Sequence, residues 1–361
     1  MIHPCRPPCC GLAAGRHSRR GRRSGGVALI VVVTLCALLS VIVLAAHREA
    51  RRRLAQVDAM SQRRQAQWLA WGGIRLAAAL LEADPTPGFD HAAEPWAQPF
   101  PEQALGPGTL LIRVEDLQAR LDLNNLGGTP PDPARRWADV VEDLLRISRV
   151  RPGGGALSAL TDWIDEDPAG ASESALYLRR DPPHRAKDGR LDSLSELRLV
   201  AGWPDSFWEG SPATAGGLAS EAPAGLVVAI PRRGGAGGWT TVNLNTAPLP
   251  VLWAVLGYSH QGSAEAIARV RAAVPFTQTG LAEILIPPEV VDSVRPWIDV
   301  RSDFFRVHVR SRVAGQEVDW EADLSRADAG VLLASRLVTE GRAVDPMPAS
   351  TRRPDRAQTT P

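Results

Sequence analysis

The 361-residue sequence is long enough for one large domain or two ordinary ones, and its charges nearly cancel at a formal +1. Six arginines (Arg6, Arg16, Arg19, Arg20, Arg22, Arg23) and no acid precede Val27, so removing their +6 leaves −5 for everything downstream. A mildly acidic body argues against a nucleic-acid surface, which needs clustered positive charge to displace phosphate counterions. Cysteine is confined to Cys5, Cys9, Cys10 and Cys36. Nothing from His47 onward can therefore rely on a disulfide, and the leader trio, set among Pro and Arg, is not read as a metal site.

Residues 27–46 (VALIVVVTLCALLSVIVLAA) form an uncharged run long enough to span a bilayer as a helix. A cleaved secretory signal has a shorter apolar core ending in small residues, which Ala45-Ala46 imitate. The residues beyond Ala46 disfavour a cleaved signal, because the chain keeps a helical pattern with no breaker until Pro85. Leu54, Val57, Met60 or Ser61, Trp68, Trp71, Ile74 and Leu80-Leu81 recur at spacings of about three and four, an amphipathic stripe. One helix from Val27 to about Ala83 runs roughly 85 Å at 1.5 Å per residue, half in lipid and half packed on a soluble domain. Arg48, Arg51, Arg52 and Arg53 come directly after the span. They strain a positive-inside assignment and suit pairing with anionic headgroups.

After Pro85 a connector rich in Pro and Gly leads to TLLIRVEDLQARLDLNNL, whose alternation predicts one or two strands, with Asn124 and Asn125 suited to a turn. DPARRWADVVEDLLRIS reads as a helix, with Asp132 as its cap and Pro133 at its first position. An acidic stretch comes next, in which Asp165, Glu166, Asp167 and Glu173 offer hard oxygen ligands close together, without EF-hand spacing. Ser193 or Ser195 suits the cap of the next short helix. Low-complexity segments flank a short apolar strand, LVVAI. TVNLNTAPLPVLWAVLGYSHQGSAEAIARVRAAVPFTQTGLAEIL then predicts helix, turn, helix and short helix, with Pro248 early in the first and Gly257 as its stop. From Trp297 the pattern turns to strands. Phe305, Val307, Val309 and Ser311 alternate with polar partners, as in an antiparallel meander turning at Gly315. The tail from Ala343 is rich in Pro, Arg and Thr and reads as disordered.

Two of these segments carry a family resemblance. Arg22-Arg23-Ser24-Gly25-Gly26 before Val27 resembles a class III prepilin leader. The resemblance implies cleavage after Gly26 by a membrane prepilin peptidase, with Gly25 as the lesser alternative, and methylation of the new amine on Val27. Most pilins then carry glutamate at the fifth mature position, which here is Val31. Its absence resembles one subclass, the K-type minor pseudopilins of type II secretion (the GspK family). An acidic loop, a tyrosine, a double proline and a final helix resemble the same family through Asp162, Trp163, Asp165, Asp167, Tyr177, Pro182-Pro183, Ser195, Glu196 and Leu197. The "VNLNTAP" string matches it too.

The implied architecture is α+β: a pilin-like long N-terminal helix on an antiparallel sheet, with a large, mainly α-helical domain inserted between strands. The expected divisions are a basic leader at 1–26, a membrane and spine helix at 27–84, a loop and first strands at 85–128, the inserted α-domain at 129–295, late strands at 296–342 and a disordered tail at 343–361. The family also implies Ca²⁺ on the acidic loop, through Asp162, Asp165, Asp167 and Glu173. It implies I- and J-type minor pseudopilins as partners, an inner-membrane anchor, a periplasmic body and a role at the pseudopilus tip. No catalytic constellation supports an enzyme: seven histidines show no metal-ligand spacing, and GxSxG and HExxH do not occur. Two other readings stand beside this one. One is a tethered DNA-binding or DNA-uptake module using a helix-hairpin-helix around GYSHQGS, which lacks a close glycine pair and has only Arg269 and Arg271 nearby. The other is a type IV pilus minor pilin.

Overall fold

The computed structural model describes residues 25–128, 136–166, 174–209, 222–231, 238–326 and 331–338. The chain divides into two units, Met1–Ser61 and Gln62–Pro361. Helix α1 (Gly25–Glu82) begins in the first and ends in the second. In the first unit its apolar side chains from Val27 to Val57 are exposed, Val31, Leu39 and Ile42 among them. The two hydroxyls of the apolar run are satisfied within the helix. Thr34 Oγ1 donates to the Val31 carbonyl at 3.1 Å and Ser40 Oγ to the Cys36 carbonyl at 2.7 Å, as a polar group in a lipid environment requires.

The second unit holds a five-stranded antiparallel sheet. Its strands are β1 (Gln103–Leu105), β2 (Gly108–Asp116), β7 (Phe304–Val313), β8 (Gln316–Ser325) and β9 (Val331–Val338), which lie side by side in that order. The predicted alternation holds. Leu110, Ile112 and Val114 of β2 face inward with Phe305, Val307 and Val309 of β7, and Ser311 is buried beside them. Gly315 turns the β7–β8 hairpin as expected. Ala314 joins it at φ +47, so both central residues of the two-residue loop lie in the left-handed region that a type I′ turn demands.

The helical stripe that packs on this sheet matches the predicted one in part: Ile74 and Leu81 are buried and Trp71 packs against the core, but small residues fill the rest. The buried row is Ala66, Ala70, Ile74, Ala77 and Leu81, whereas Trp68 is 76% exposed and Leu54, Val57 and Met60 are exposed as well. Small side chains win because they let the helix backbone approach the sheet. A Cβ on Gly73 would lie 2.9 Å from Val309 Cγ1 and 3.1 Å from Leu110 Cδ1, and Ser311 Oγ donates to the Ala66 carbonyl at 2.7 Å.

The face of the sheet away from this core carries charge in matched rows. Arg306, His308, Arg310 and Arg312 of β7 lie opposite Asp323, Glu321, Asp319 and Glu317 of β8. Arg306 clamps Asp323 through two bonds of 2.6 and 2.9 Å, the bidentate geometry that favours arginine.

Between β2 and β7 lies the inserted domain with its own core. It comprises α2 (Trp137–Ile147), α3 (Ala156–Ile164), α4 (Ser174–Tyr177), α5 (Leu249–Leu256), α6 (Gln261–Ala273), α7 (Thr279–Glu283) and α8 (Pro288–Val294). Two short parallel pairs brace it: β3 (Leu121–Asp122) with β4 (Val227–Val228), and β5 (Val242–Asn243) with β6 (Ile298–Asp299). Leu121 and Leu123 belong to this second core. The chain thus leaves the large sheet at Asp116, before residue 129, where the sequence reading starts the insert. Asn124 and Asn125 do sit in a tight 3-10 turn, but they are buried staples and not surface turn residues. Asn124 Nδ2 donates to the carbonyls of Leu191 and Ile230, and Asn125 exchanges two 2.9 Å bonds with the Thr240 backbone. Pro248 and Gly257 bracket α5 as predicted, Gly257 at φ +100, and Ser193 caps the turn at Leu194–Arg198 with Glu196 completing a capping box. Helix α2 begins at Trp137; Asp132 and Pro133 lie outside the described residues.

A buried polar clasp joins the insert to the sheet. Asp116 at the end of β2 accepts from Thr246 Oγ1 (2.5 Å), Ser302 Oγ (2.7 Å) and Asn243 Nδ2 (3.1 Å). Asp90 accepts from the Ser302 amide at 2.7 Å and pairs with Arg326 at 2.5 Å, and Arg326 also holds Asp84 at 2.9 Å. Burial pushes both Asp116 and Asp90 up, Asp90 to about 6 against the pull of Arg326.

Candidate functional site

Gly26 and Val27 lie in the first turn of α1, and the rest of the basic leader falls outside the described residues, apart from Gly25. Val31 is one turn on and 58% exposed. The helix is long and apolar enough to cross a membrane, and the apolar run from Val27 to Ala46 has no ionisable group other than Cys36. Nothing in that run can supply a carboxylate to a neighbour's amine.

Further along α1, within the second unit, Trp71 packs on Trp320 of β8 with ring centroids 5.6 Å apart. Together with Arg64, Gln67 and the exposed Trp68 they line a groove of about 350 Å³. Sequence periodicity placed Trp68 in the buried stripe; the structure places it outside. An exposed tryptophan beside an aromatic groove is the sort of surface that partners bury.

Of the acidic-loop residues, Asp162 lies near the C-terminal end of α3 and Asp165 is its C-cap, one turn later. Asp167 and Glu173 lie outside the described residues. The aromatic part of the motif is structural. Tyr177 is fully buried, edge-on to Trp163 at 5.1 Å and against His184 at 5.1 Å. Glu196 bonds Lys187 at 3.0 Å and caps the Ser193 turn, so it is already engaged in the fold. Asp84, Asp90 and Glu94 form an acidic cluster that sequence reasoning missed, because they converge only with the help of Arg326 from beyond β8. The guanidinium neutralises Asp84 and Asp90, while Glu94 accepts from Thr86 and Trp96.

The hairpin between α5 and α6 offers little to phosphate. Arg271 turns inward, donating to the Leu244 carbonyl at 2.5 Å, and burial lowers its pKa to about 10. Only Arg269 of the two bases remains exposed. The "VNLNTAP" residues serve packing. Asn243 bonds Asp90, Asp116 and Ser302, and Asn245 bonds the backbone of Phe276 in both directions at 2.9 Å.

These features agree with what the chain is similar to. The family described as type II secretion system (T2SS), protein K, matches residues 119–210. A type II secretion system protein K from Pseudomonas aeruginosa is 30% identical over 275 residues, 72% of this chain and 75% of that protein. The protein K of Klebsiella pneumoniae is 29% identical over 203 residues, 52% of this chain but only 60% of its own length. That of Pectobacterium carotovorum is 24% identical over 352 residues, 90% of this chain and 99% of that protein. Among solved structures, a chain of the GspK-GspI-GspJ complex from enterotoxigenic Escherichia coli superposes with a TM-score of 0.62 at 19% identity. The match covers 78% of this chain and 99% of that one, and shows the shared α+β fold. With a continuous apolar helix, no carboxylate along its membrane-length run, and an insert matching over its first part, the chain belongs to the type II secretion system protein K family.

Proposed function

We propose that this protein is a minor pseudopilin that sits at the tip of the pseudopilus and primes its assembly for export of folded proteins across the outer membrane. The observation that carries the reading is Val31. It is the fifth residue after Gly26 in an unbroken apolar helix. A subunit without a carboxylate there cannot neutralise the amine of a subunit ahead of it, so it need not follow one. Prepilin peptidase cleaves after Gly26, Val27 is methylated, and the helix rests in the inner membrane with the body in the periplasm. The body assigns no catalytic step; its work is association. I- and J-type pseudopilins are its partners, a reading supported by the solved relative, which is a complex of GspK with GspI and GspJ. The exposed apolar residues of α1, Trp68 foremost, form the docking face, and the bulky insert hinders a further subunit from stacking above.

Replacing Val31 by Glu tests the assignment. Assembly initiation falls if the missing carboxylate matters, and unchanged initiation removes that support. Site-specific cross-linking from Trp68 must trap minor pseudopilins at one end; recovery along the shaft sinks the tip role. The end of α3 also takes Ca²⁺ in this reading, with Asp162 and Asp165 contributing hard oxygen donors. Added Ca²⁺ then raises the melting temperature, as binding to the folded state alone requires. Asp165→Asn removes the rise, and an equal rise in that variant rejects Asp165 as a ligand. The DNA-module reading has no such support, given the inward Arg271.

A further inference from the structure

We propose that the groove at the C-terminal end of α2, walled by Arg146, Arg149 and Arg151, binds a carboxylate-bearing peptide segment of a partner protein. The groove is open to solvent and spans about 770 Å³. Leu145 and Val150, both nearly buried, form its floor, and Glu142 and Pro152 complete the wall. Three guanidiniums here are conspicuous on a body whose charge downstream of the leader is acidic. Arg146 pairs with Asp143 at 2.9 Å. Arg149 and Arg151 are exposed, and neither makes an ion pair among the described residues.

The backbone supplies a second observation. Arg149 adopts φ +57, and the helix closes through bonds from the Ser148 amide to Leu144, the Arg149 amide to Arg146 and the Val150 amide to Leu145. Glycine is the default residue in such a left-handed closing position, and any L side chain there is disfavoured. The chain keeps an arginine where a glycine would relieve the backbone, and its side chain packs in no core. A requirement for charge in the groove accounts for this choice. The helix dipole also favours a cation here, but Arg146 already occupies the last turn and Arg151 lies beyond its reach.

The lining also selects the occupant. Planar guanidiniums match the two oxygens of a carboxylate. Leu145, Val150 and Pro152 offer apolar surface to an aliphatic neighbour on the same peptide, and Glu142 disfavours a multiply charged phosphate.

The test uses the full chain in detergent and a fluorescein-labelled peptide of alternating glutamate and leucine, read by anisotropy at low salt. The glutamate peptide binds, and its glutamine counterpart binds about tenfold or more weakly. Arg149→Gly weakens binding by a similar factor while its melting temperature equals or exceeds the parent's. Arg151→Gln, beyond the helix, reports the same loss should the first variant misfold. Equal binding of the two peptides, or undiminished binding by both variants, overturns the proposal. So does displacement of the peptide by inorganic phosphate or by anionic phospholipid vesicles at matched charge.

Discussion

Gly72 and Gly73 are adjacent in α1, yet alanine should act in opposite directions at the two. At Gly72 an added Cβ meets nothing within 4 Å. The substitution therefore gains the helix propensity difference alone, about 1 kcal/mol. At Gly73 the same Cβ lies 2.9 Å from Val309 Cγ1 and 3.1 Å from Leu110 Cδ1. Both neighbours are buried, with no more than 2% of their surface exposed, and the valine is β-branched on a central strand, so its rotamer is stiff. Overpacking of this kind costs about 1–3 kcal/mol. Set against the same propensity gain, Gly73→Ala should be destabilising by up to about 2 kcal/mol. For a folded unit of this size, 1 kcal/mol moves the melting temperature by about 2–4 °C. Tryptophan fluorescence during thermal unfolding in detergent should thus show Gly72→Ala melting above the parent and Gly73→Ala below it. If the two variants shift together, the close approach of α1 to β2 and β7 is wrong.

Three further outcomes are expected. His308 lies 3.4 Å from both Glu115 and Glu321. Burial opposes its charge, but the two carboxylates raise its pKa above the ordinary 6.5, while His308 and Arg336 overcome burial to hold Glu321 at about 2 and His308 with Arg120 lowers Glu115. Arg306 and Arg310 on the same strand and Arg113 across from His308 complete its charged surroundings. The carboxylate contribution is present above pH 4.5 and lost as pH falls toward about 2, and the histidine contribution is present below 6.5 and lost as pH rises through its elevated folded pKa. Melting temperature against pH should therefore decline on the alkaline side, and His308→Gln should flatten that limb; an unchanged profile rejects the triad. Arg326→Ala leaves Asp84 and Asp90 buried without their cation, and denaturant titration should show a loss of about 3–5 kcal/mol, with Asp90→Asn in the same background restoring part of it. Ala314→Gly relieves the left-handed alanine of the β7–β8 turn and should raise stability by about 1 kcal/mol, whereas a loss would show that the turn takes another form.

The long helix, the β7–β8 meander and the α5 boundaries at Pro248 and Gly257 were legible because each is written locally: an apolar run, a period of two, and residues with restricted or permissive φ. Of the four ligands expected on the acidic stretch, only Asp162 and Asp165 fall among the described residues. On the second half of α1 periodicity finds Ile74 and Leu81 but misplaces Trp68, since it ranks residues by hydrophobicity while close packing rewards the absence of bulk. Ala66, Ala70 and Gly73 carried no signal that Trp68 did not outweigh. Asn124 and Asn125 read as turn formers, and nothing nearby in sequence hints at Leu191, Ile230 or Thr240 as their partners.

A membrane-length helix with Val31 and no carboxylate along its apolar run, and a helical domain that interrupts the strands, are both readable without a structure. Both are properties of contiguous segments. Which face of the helix packs on the sheet and which stays exposed is settled by the packing itself. The same packing lets Arg326, Asp84, Asp90 and Asp116 clasp the two cores, and sets Arg149 at a helix end where glycine would fit better. Those features depend on groups far apart in the chain, whose pairing is set by burial and distance and leaves no periodic trace.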